Sequence, residues 1–238
     1  MKKAIVIGSS SGIGKELAKV LSQNGYAVGL TGRRVELLTD LQRELSTESF
    51  VKAIDVTQTA DAMQRLQELI REMNGVELII INAGVGFINT EFEWEKEQTT
   101  IETNVAGFAA MANVAFKHFL EQSSGHLVGI SSIAALRGSG ATPAYNASKA
   151  FVSNYLEGLR QKASKLNLPI TVTDIQPGLV DTAMAQGEGL FWVAPPEKAA
   201  RQIFDMIRSR RKRAYVTKRW RLIAWLLKAM PDRIYNRM

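Results

Sequence analysis

The fold is decided by one stretch near the beginning of the sequence, Ala4-Ile5-Val6-Ile7-Gly8-Ser9-Ser10-Ser11-Gly12-Ile13-Gly14. Its apolar half predicts a buried strand, and the helical spacing of Leu17 and Leu21 after it predicts a helix. Small residues between a strand and a helix let backbone N–H groups and the positive helix N-terminus approach a pyrophosphate. The stretch therefore predicts a dinucleotide site. The alternative is a tight strand-to-helix turn that binds no ligand.

Similar apolar runs recur along the chain and alternate with segments of helical spacing. The runs lack strict polar alternation, which is typical of strands buried on both faces of a parallel sheet. We therefore predict one α/β domain with a doubly wound sheet over residues 1–218, followed by a basic and apolar helical tail over residues 219–238. The predicted strands cover residues 4–8, 27–32, 50–55, 77–82, 126–131 and 170–176.

The composition of the 238 residues excludes several kinds of site and segment. Without cysteine there is no disulfide, thiolate metal site or cysteine nucleophile, and His118 and His126 cannot form a three-histidine metal centre. We predict no metal site. No apolar run reaches the roughly 18 residues of a spanning helix, or the roughly 7 to 15 of a secretory signal. We expect a soluble chain in the cytoplasm, with membrane contact at most peripheral.

The net charge of +7 is unevenly distributed. Residues 1–200 hold 18 basic and 21 acidic residues, whereas residues 201–238 hold 12 basic and 2 acidic ones. The tail, and not the body, is therefore the candidate for contact with a charged partner. It fits a helix packed on the body or on a second subunit, or an interfacial helix on an anionic membrane. Nucleic acid is the least favoured partner, because no aromatic-interleaved groove accompanies the charge.

Two arginines, Arg33 and Arg34, follow the second predicted strand. In the common dinucleotide fingerprint an acidic residue at this place holds the ribose 2′-hydroxyl. Guanidinium groups instead favour a 2′-phosphate, which they bind in bidentate fashion and which a carboxylate would repel. We therefore predict NADP(H) rather than NAD(H). The alternative is that the arginines lie on a solvated loop, which is reasonable for one of them.

Tyr145 and Lys149 are spaced to share one helix face. A phenol with its usual pKa near 10 is a poor acid–base group, and a cation one turn away lowers that pKa. Ser132 precedes Tyr145 by 13 residues and ends a predicted strand, where open α/β sheets place ligands. Asn104 lies within a helical stretch, where a polar side chain is unexpected unless it bonds to something. Together the four predict a proton-transfer site.

In order and spacing, these motifs resemble those of the short-chain dehydrogenase/reductase family. The resemblance covers residues 8 to about 182, and it implies a Rossmann-like sheet with strand order 3-2-1-4-5-6-7. Two positions depart from the family pattern, Ile7 and Ile81, where we expect an apolar contact between strands one and four to replace a polar one. The matching residues are Gly8, Gly12, Gly14, Asp55, Val56, Asn82, Ala83, Gly84, Asn104, Ser132, Tyr145, Lys149, Pro177, Gly178 and Thr182.

The resemblance also implies catalytic roles. Tyr145 would donate or accept the proton, and Lys149 would lower the phenol pKa and bind the nicotinamide ribose. Ser132 would orient the substrate oxygen, while Asn104 would hold a water in a relay from Lys149 to solvent. The cofactor itself would supply the hydride chemistry.

The predicted cofactor contacts follow the chain from the glycine-rich turn to the segment after the sixth strand. Asp55 and Val56 would contact the adenine, and Thr182 would hold the carboxamide. The complete predicted set is Gly8, Ser10, Ser11, Gly12, Ile13, Gly14, Arg33, Arg34, Asp55, Val56, Asn82, Ala83, Gly84, Tyr145, Lys149, Pro177, Gly178 and Thr182.

The substrate side is predicted from residues 183–193, where two glycines precede four apolar residues in the manner of a hinged lid. Phe87, Ile88 and Leu136 could extend an apolar pocket or belong to the core. We expect an NADP(H)-dependent carbonyl reductase or alcohol dehydrogenase for apolar aldehydes or ketones, assembled as a homodimer or homotetramer. The rival hypothesis is a nucleotide-binding regulator or scaffold on the same fold, docked through its basic tail.

Overall fold

The computed structural model describes residues 1–184 and 191–236. Within them, seven parallel strands form one sheet in the order β3-β2-β1-β4-β5-β6-β7, which confirms the predicted fold class and strand order. All six predicted strands are present, with ends that differ by up to two residues. The strands are β1 (Lys2–Ile7), β2 (Tyr26–Gly32), β3 (Ser49–Ala53), β4 (Leu78–Ile81), β5 (Gly125–Ile130), β6 (Ile170–Pro177) and β7 (Arg213–Val216).

Helices cover both faces of this sheet. One apolar cluster joins α1, α2 and α7 to one face, and a second joins α3, α5 and α6 to the other. A π-helical stretch over Glu102–Gly107 connects α4 to α5, and a short 3₁₀ turn over Ile133–Leu136 follows β5. The α-helices are α1 (Gly12–Gln23), α2 (Val35–Glu44), α3 (Thr59–Glu72), α4 (Trp94–Ile101), α5 (Phe108–Glu121), α6 (Pro143–Lys165), α7 (Pro196–Arg208), α8 (Trp220–Ala229) and α9 (Asp232–Tyr235).

The central strands show why the apolar runs lack polar alternation. In β1, Ile5 and Ile7 belong to one apolar cluster, while Ala4 and Val6 belong to the other. Successive side chains point to opposite faces of a strand, so both sets are buried when helices cover both faces. Ile7 pairs in register with Ile81 of β4, and both are fully buried. The predicted apolar contact between strands one and four is confirmed.

The strand order reverses at β1. From β1 the chain adds β2 and β3 on one side, and then β4 to β7 on the other. Such a switch point opens a crevice at the carboxyl ends of the strands, where α/β proteins bind ligands. The glycine-rich turn follows β1, Asn82–Gly84 follows β4, and Ser132 follows β5. The fold therefore brings these separate motifs to one edge of the sheet.

The C-terminal tail packs against the segment that follows β5. Arg137 Nη1 donates to Met230 O at 2.9 Å, and its Nη2 lies 2.7 Å from Asp232 Oδ1. The Tyr235 hydroxyl donates to Gly138 O. Among the helices described, none is both long and apolar enough to cross a bilayer.

Candidate active site

A cleft of ≈ 730 Å³ lies at the carboxyl ends of the strands and brings together nearly all the predicted site residues. Gly14 and Asn104 are the two that do not line it. Gly14 instead packs behind the glycine-rich turn, and Asn104 supports the wall from outside. Within the described ranges, no group of three or more His, Cys, Asp or Glu side chains could hold a metal ion.

Two glycines of the glycine-rich turn lie where a side chain would not fit. Gly8 has φ +87°, and a Cβ there would lie 2.7 Å from the backbone of Ala83. A Cβ on Gly14 would lie 2.1 Å from the Gly8 carbonyl oxygen. Asn82 Nδ2 donates to that same oxygen at 2.7 Å, which joins the turn to the end of β4. The close packing fixes the shape of the turn, and Gly14 allows the helix to approach the Gly8 carbonyl.

The first turn of α1 carries groups that could bind an anion. The helix begins at Gly12, and its first N–H groups have no partner within the helix. Arg34 Nη2 lies 2.8 Å from Ser10 Oγ and 2.9 Å from Ser11 Oγ, which holds its guanidinium beside this turn. Arg33 is exposed at the cleft wall. Oriented N–H groups, two hydroxyls and two cations fit the phosphates of a dinucleotide.

The loops after β3 and β6 form two further walls of the cleft. Asp55 Oδ1 accepts hydrogen bonds from Thr57 N at 3.1 Å and Thr57 Oγ1 at 2.8 Å, so its carboxylate is fixed in the loop. Across the cleft, a Cβ on Gly12 would lie 3.1 Å from Thr182 Cγ2. Pro177 and Gly178 line the cleft at the end of β6.

Two adjacent serines at the end of β5 have different surroundings. The Ser131 hydroxyl donates to the Asp174 carboxylate and contacts Ile175 O at 3.0 Å, inside the sheet. Ser132 Oγ accepts from Ala134 N at 3.1 Å, and its side chain lies close enough to the Tyr145 phenol to affect the phenol pKa. Ser132 is thus the serine beside the phenol, as predicted.

Tyr145 lies in the first turn of α6 and is partly exposed in the cleft wall. Its ring packs against Gly86, where a Cβ would lie 2.7 Å from Tyr145 Cδ2. Burial raises the pKa of the phenol, and the Ser132 side chain opposes this shift. The resemblance implied a lowering by Lys149, which is not the direction found. Protein groups alone hold the phenol protonated.

Lys149 lies one helical turn from Tyr145, with its ammonium over the aromatic ring, 5.7 Å from the centroid. Its Nζ donates to Ile130 O at 3.1 Å. Burial lowers the pKa of Lys149 to about 8, against the opposing effect of the Asp174 charge. A Cβ on Gly84 would lie 3.2 Å from Lys149 Nζ, so the glycine leaves room for the amine. Lys149 therefore remains a cation at neutral pH.

Asn104 lies in the π-helical stretch, a geometry often found at functional sites. Its Oδ1 accepts from Val85 N at 2.9 Å, and its Nδ2 donates to Val85 O at 2.7 Å and to Ser148 Oγ at 3.0 Å. Both amide protons are used, which leaves one lone pair on Oδ1. The side chain thus holds the segment after β4, which carries Gly84 and Val85, against α6.

Asp174 is a residue that the sequence reasoning missed. It is fully buried in β6, where it accepts from Ser131 Oγ and Gln176 Nε2, and Arg213 Nε lies 3.2 Å from its Oδ2. This network holds the end of β5 in place beside Ser132. A carboxylate inside an otherwise uncharged strand was the sequence signal that could have identified it.

The apolar part of the cleft includes Phe87 and Ile88. Leu136 does not line it, although Ile133 and Ala134 of the same 3₁₀ turn do. Of the predicted lid, Gly187 and Gly189 lie outside the described residues. At its ends, Met184 lines the cleft, while Phe191 and Trp192 pack against Trp220 of α8.

A family model described as short chain dehydrogenase matches residues 2–190 of this chain. An uncharacterised oxidoreductase of Myxococcus xanthus is 36% identical over 188 residues, which is 77% of this chain and 74% of the relative.

Two solved structures are similar to this chain. A short-chain dehydrogenase from Streptomyces avermitilis superposes with TM-score 0.83 at 23% identity, covering 95% of this chain and 91% of its own. The closed form of a serine dehydrogenase complexed with NADP⁺ superposes with TM-score 0.75 at 25% identity, covering 86% and 88%.

Proposed function

The chain belongs to the short-chain dehydrogenase family of oxidoreductases, and on that premise we propose that it is an NADP(H)-dependent carbonyl reductase or alcohol dehydrogenase. The observation that carries the proposal is that Ser132, Tyr145 and Lys149 meet in the wall of the cleft that the glycine-rich turn also lines, with Ser132 and Lys149 buried and Tyr145 partly exposed. A pure nucleotide sensor or scaffold has no need of a proton donor at that place. The bound nicotinamide would supply or accept the hydride.

Tyr145 is the proposed acid–base residue. Its raised pKa keeps the phenol protonated at neutral pH, which is the state needed to donate a proton to a carbonyl oxygen. Ser132, which lies beside Tyr145, would donate a hydrogen bond to the same oxygen. Lys149 would place a positive charge beside the phenol and stabilise the phenolate left after transfer. Asn104 would support a water relay through the remaining lone pair of Oδ1.

The test is NADPH oxidation with a panel of aldehydes and ketones, comparing parent and Tyr145→Phe proteins. Loss of the acid–base group should lower kcat by about 10²- to 10⁴-fold, while the Kd for NADPH stays within about threefold. Tyr155→Phe is the matched control, since Tyr155 lies on the same helix and packs against Phe108 and Phe151. A Tyr145→Phe enzyme with more than about a tenth of parental kcat would contradict the proposal.

NADP(H) is the proposed cofactor because Arg34 is held beside the α1 N-terminus by Ser10 and Ser11, with Arg33 next to it. Losing a charge-assisted hydrogen bond costs about 1.5–3 kcal/mol, so Arg34→Gln should weaken NADPH binding by roughly 10- to 100-fold. NADH binding should change little. Arg43→Gln removes one charge from an exposed ion pair on α2 and is the matched control. Equal catalytic efficiency of the parent protein with NADH and NADPH would contradict this assignment.

The proposed substrate is an apolar aldehyde or ketone, because Phe87, Ile88 and Met184 line the cleft alongside the catalytic cluster. In the same panel, kcat/KM should rise with the length of an alkyl or aryl substituent. Each buried methylene contributes about 0.8 kcal/mol, or roughly a fourfold gain. A preference for small sugars or hydroxy acids would contradict it. Assembly as a homodimer or homotetramer stays a prediction, which the molar mass from light scattering would test.

A further inference from the structure

We propose that the outward face of α8 docks on an anionic lipid bilayer. This face carries an apolar stripe of three residues, Leu222, Trp225 and Leu226, which are 69%, 72% and 48% exposed. Their spacing places them on one side of the helix. Exposed apolar patches of this kind mark interaction sites on soluble proteins.

The inward face of α8 is anchored, so the stripe is held in a fixed direction. Trp220 and Ala224 are 5% and 1% exposed. The Trp220 ring lies flat against Gly178, where a Cβ would come within 2.1 Å of the indole. At the other end of the helix, Arg137 donates to Met230 O at 2.9 Å. The helix therefore presents one apolar face to the body and a second one to the surroundings.

In the sequence segment that carries the stripe, every charged side chain is positive. Between Met206 and Pro231 the sequence has nine basic residues and no acidic residue. Arg221 and Lys228 are exposed and lie four residues before and three residues after Trp225, which places them beside the stripe. A Trp- and Leu-bearing face flanked by Lys and Arg is the pattern of helices that lie in the headgroup region of anionic membranes.

Other occupants fit less well. A second copy of this chain would bring the same basic surface against itself, and like charges oppose such an interface. Nucleic acid is held by aromatic rings that stack on bases, whereas two of the three stripe residues are aliphatic. Acyl chains beneath anionic headgroups match both the apolar side chains and the positive charge.

The neighbouring aromatic residues enlarge this surface towards the cleft. Phe191 stacks on Trp220 with ring centroids 5.3 Å apart, and Trp192 meets Trp220 edge-on at 6.4 Å. Both side chains are about half-exposed. Gly178, beneath Trp220, also lines the cleft. Docking through α8 would therefore place the cleft close to the membrane surface.

The test is co-sedimentation of the full chain with vesicles of phosphatidylcholine alone, and of phosphatidylcholine and phosphatidylglycerol in equal parts. We expect binding to the anionic vesicles that weakens as salt is added. Trp225→Gln and Leu222→Gln should each lower the partition coefficient about tenfold or more, the effect of one large apolar side chain that no longer leaves water. Trp94→Gln and Leu166→Gln are matched controls at exposed positions on other parts of the chain.

The charge requirement has its own pair of variants. Arg221→Gln with Lys228→Gln should reduce binding to anionic vesicles, while Lys162→Gln with Lys165→Gln removes the same charge from α6 and should not. Thermal unfolding checks that each variant is folded. The proposal is overturned if the parent does not bind anionic vesicles, or if variants and controls lose binding equally. It is also overturned if the parent is a dimer by light scattering in the absence of lipid, and Trp225→Gln dissociates this dimer but leaves vesicle binding unchanged.

Discussion

Protonation of His126 is expected to destabilise this fold in mild acid. The residue is buried in β5, and its Nε2 lies 2.8 Å from Thr173 Oγ1. The Thr173 hydroxyl donates its proton to Arg211 O at 2.6 Å, so it can only accept from the ring, which places the imidazole proton on Nε2. Burial, with a smaller contribution from the positive charge of Arg210, lowers the pKa of His126 to about 4.

The size of the effect follows from linkage. Histidine in the unfolded chain has a pKa near 6.5, so between that pH and about 4 the unfolded state holds a proton that the folded state lacks. Stability is therefore lost as pH falls through this window. The two pKa values give a loss of about 2 kcal/mol between about pH 7.5 and pH 5, and about 3 kcal/mol by about pH 4.

The assay is urea unfolding of the parent and His126→Gln proteins at the two ends of this range. Glutamine keeps an N–H within reach of Thr173 but does not titrate. Between about pH 7.5 and 5 the parent should lose about 2 kcal/mol more unfolding free energy than the variant. Equal losses would refute the reasoning. An NMR titration in which the His126 ring of the folded protein becomes protonated near the ordinary histidine pKa would also refute it.

Three further substitutions have defined outcomes. Gly84→Ala places a Cβ 3.2 Å from both Lys149 Nζ and Asn104 Oδ1, so steady-state kinetics should give a kcat lower by about tenfold. An unchanged kcat would contradict the placement of the amine. Arg137→Met removes the charged hydrogen bonds that hold the tail, and limited proteolysis should release the tail about tenfold faster or more. Equal release rates would show that those bonds are not what holds it. Asp174→Asn weakens a buried network and should cost about 2 kcal/mol in urea unfolding, whereas a loss below about 0.5 kcal/mol would contradict its role.

The positions of the strands were predictable because their composition reflects burial on both faces. The run that became β4 is apolar at every position, and its alternate residues face the two helical layers. Pairing Ile7 with Ile81 followed from the same logic, since adjacent central strands of a parallel sheet exclude water. The ends of strands were less predictable, because backbone pairing with a neighbour, and not composition, ends a strand.

The direction of the Tyr145 pKa shift was not predictable from spacing. A lysine four residues away implies a lowered pKa, but the shift depends on how far the phenol is removed from water and on where the amine points. In the folded chain the ring packs against Gly86, and Lys149 donates to Ile130 O. Desolvation raises the phenol pKa, and the contribution that opposes it comes from Ser132.

The C-terminal tail illustrates the same limit on a larger scale. Its charge and its Trp- and Leu-rich helix are visible in the sequence, and they left open both packing on the body and contact with a membrane. Arg137, far away in the sequence, bonds to the carbonyl groups of the tail, and Gly178 receives the Trp220 ring. Only these contacts determine which side of α8 is buried and which side is left exposed.

The glycine-rich stretch after β1, together with the alternating apolar and helical runs, was sufficient to predict the class of fold and to place a candidate nucleotide site at the first turn, because local backbone geometry there depends on glycine. The different surroundings of Ser131 and Ser132, the state of the phenol and the outward face of α8 were decided by the tertiary structure. Each depends on which groups far apart in the sequence meet in space, and on how much water they exclude. No local pattern of residues encodes either quantity.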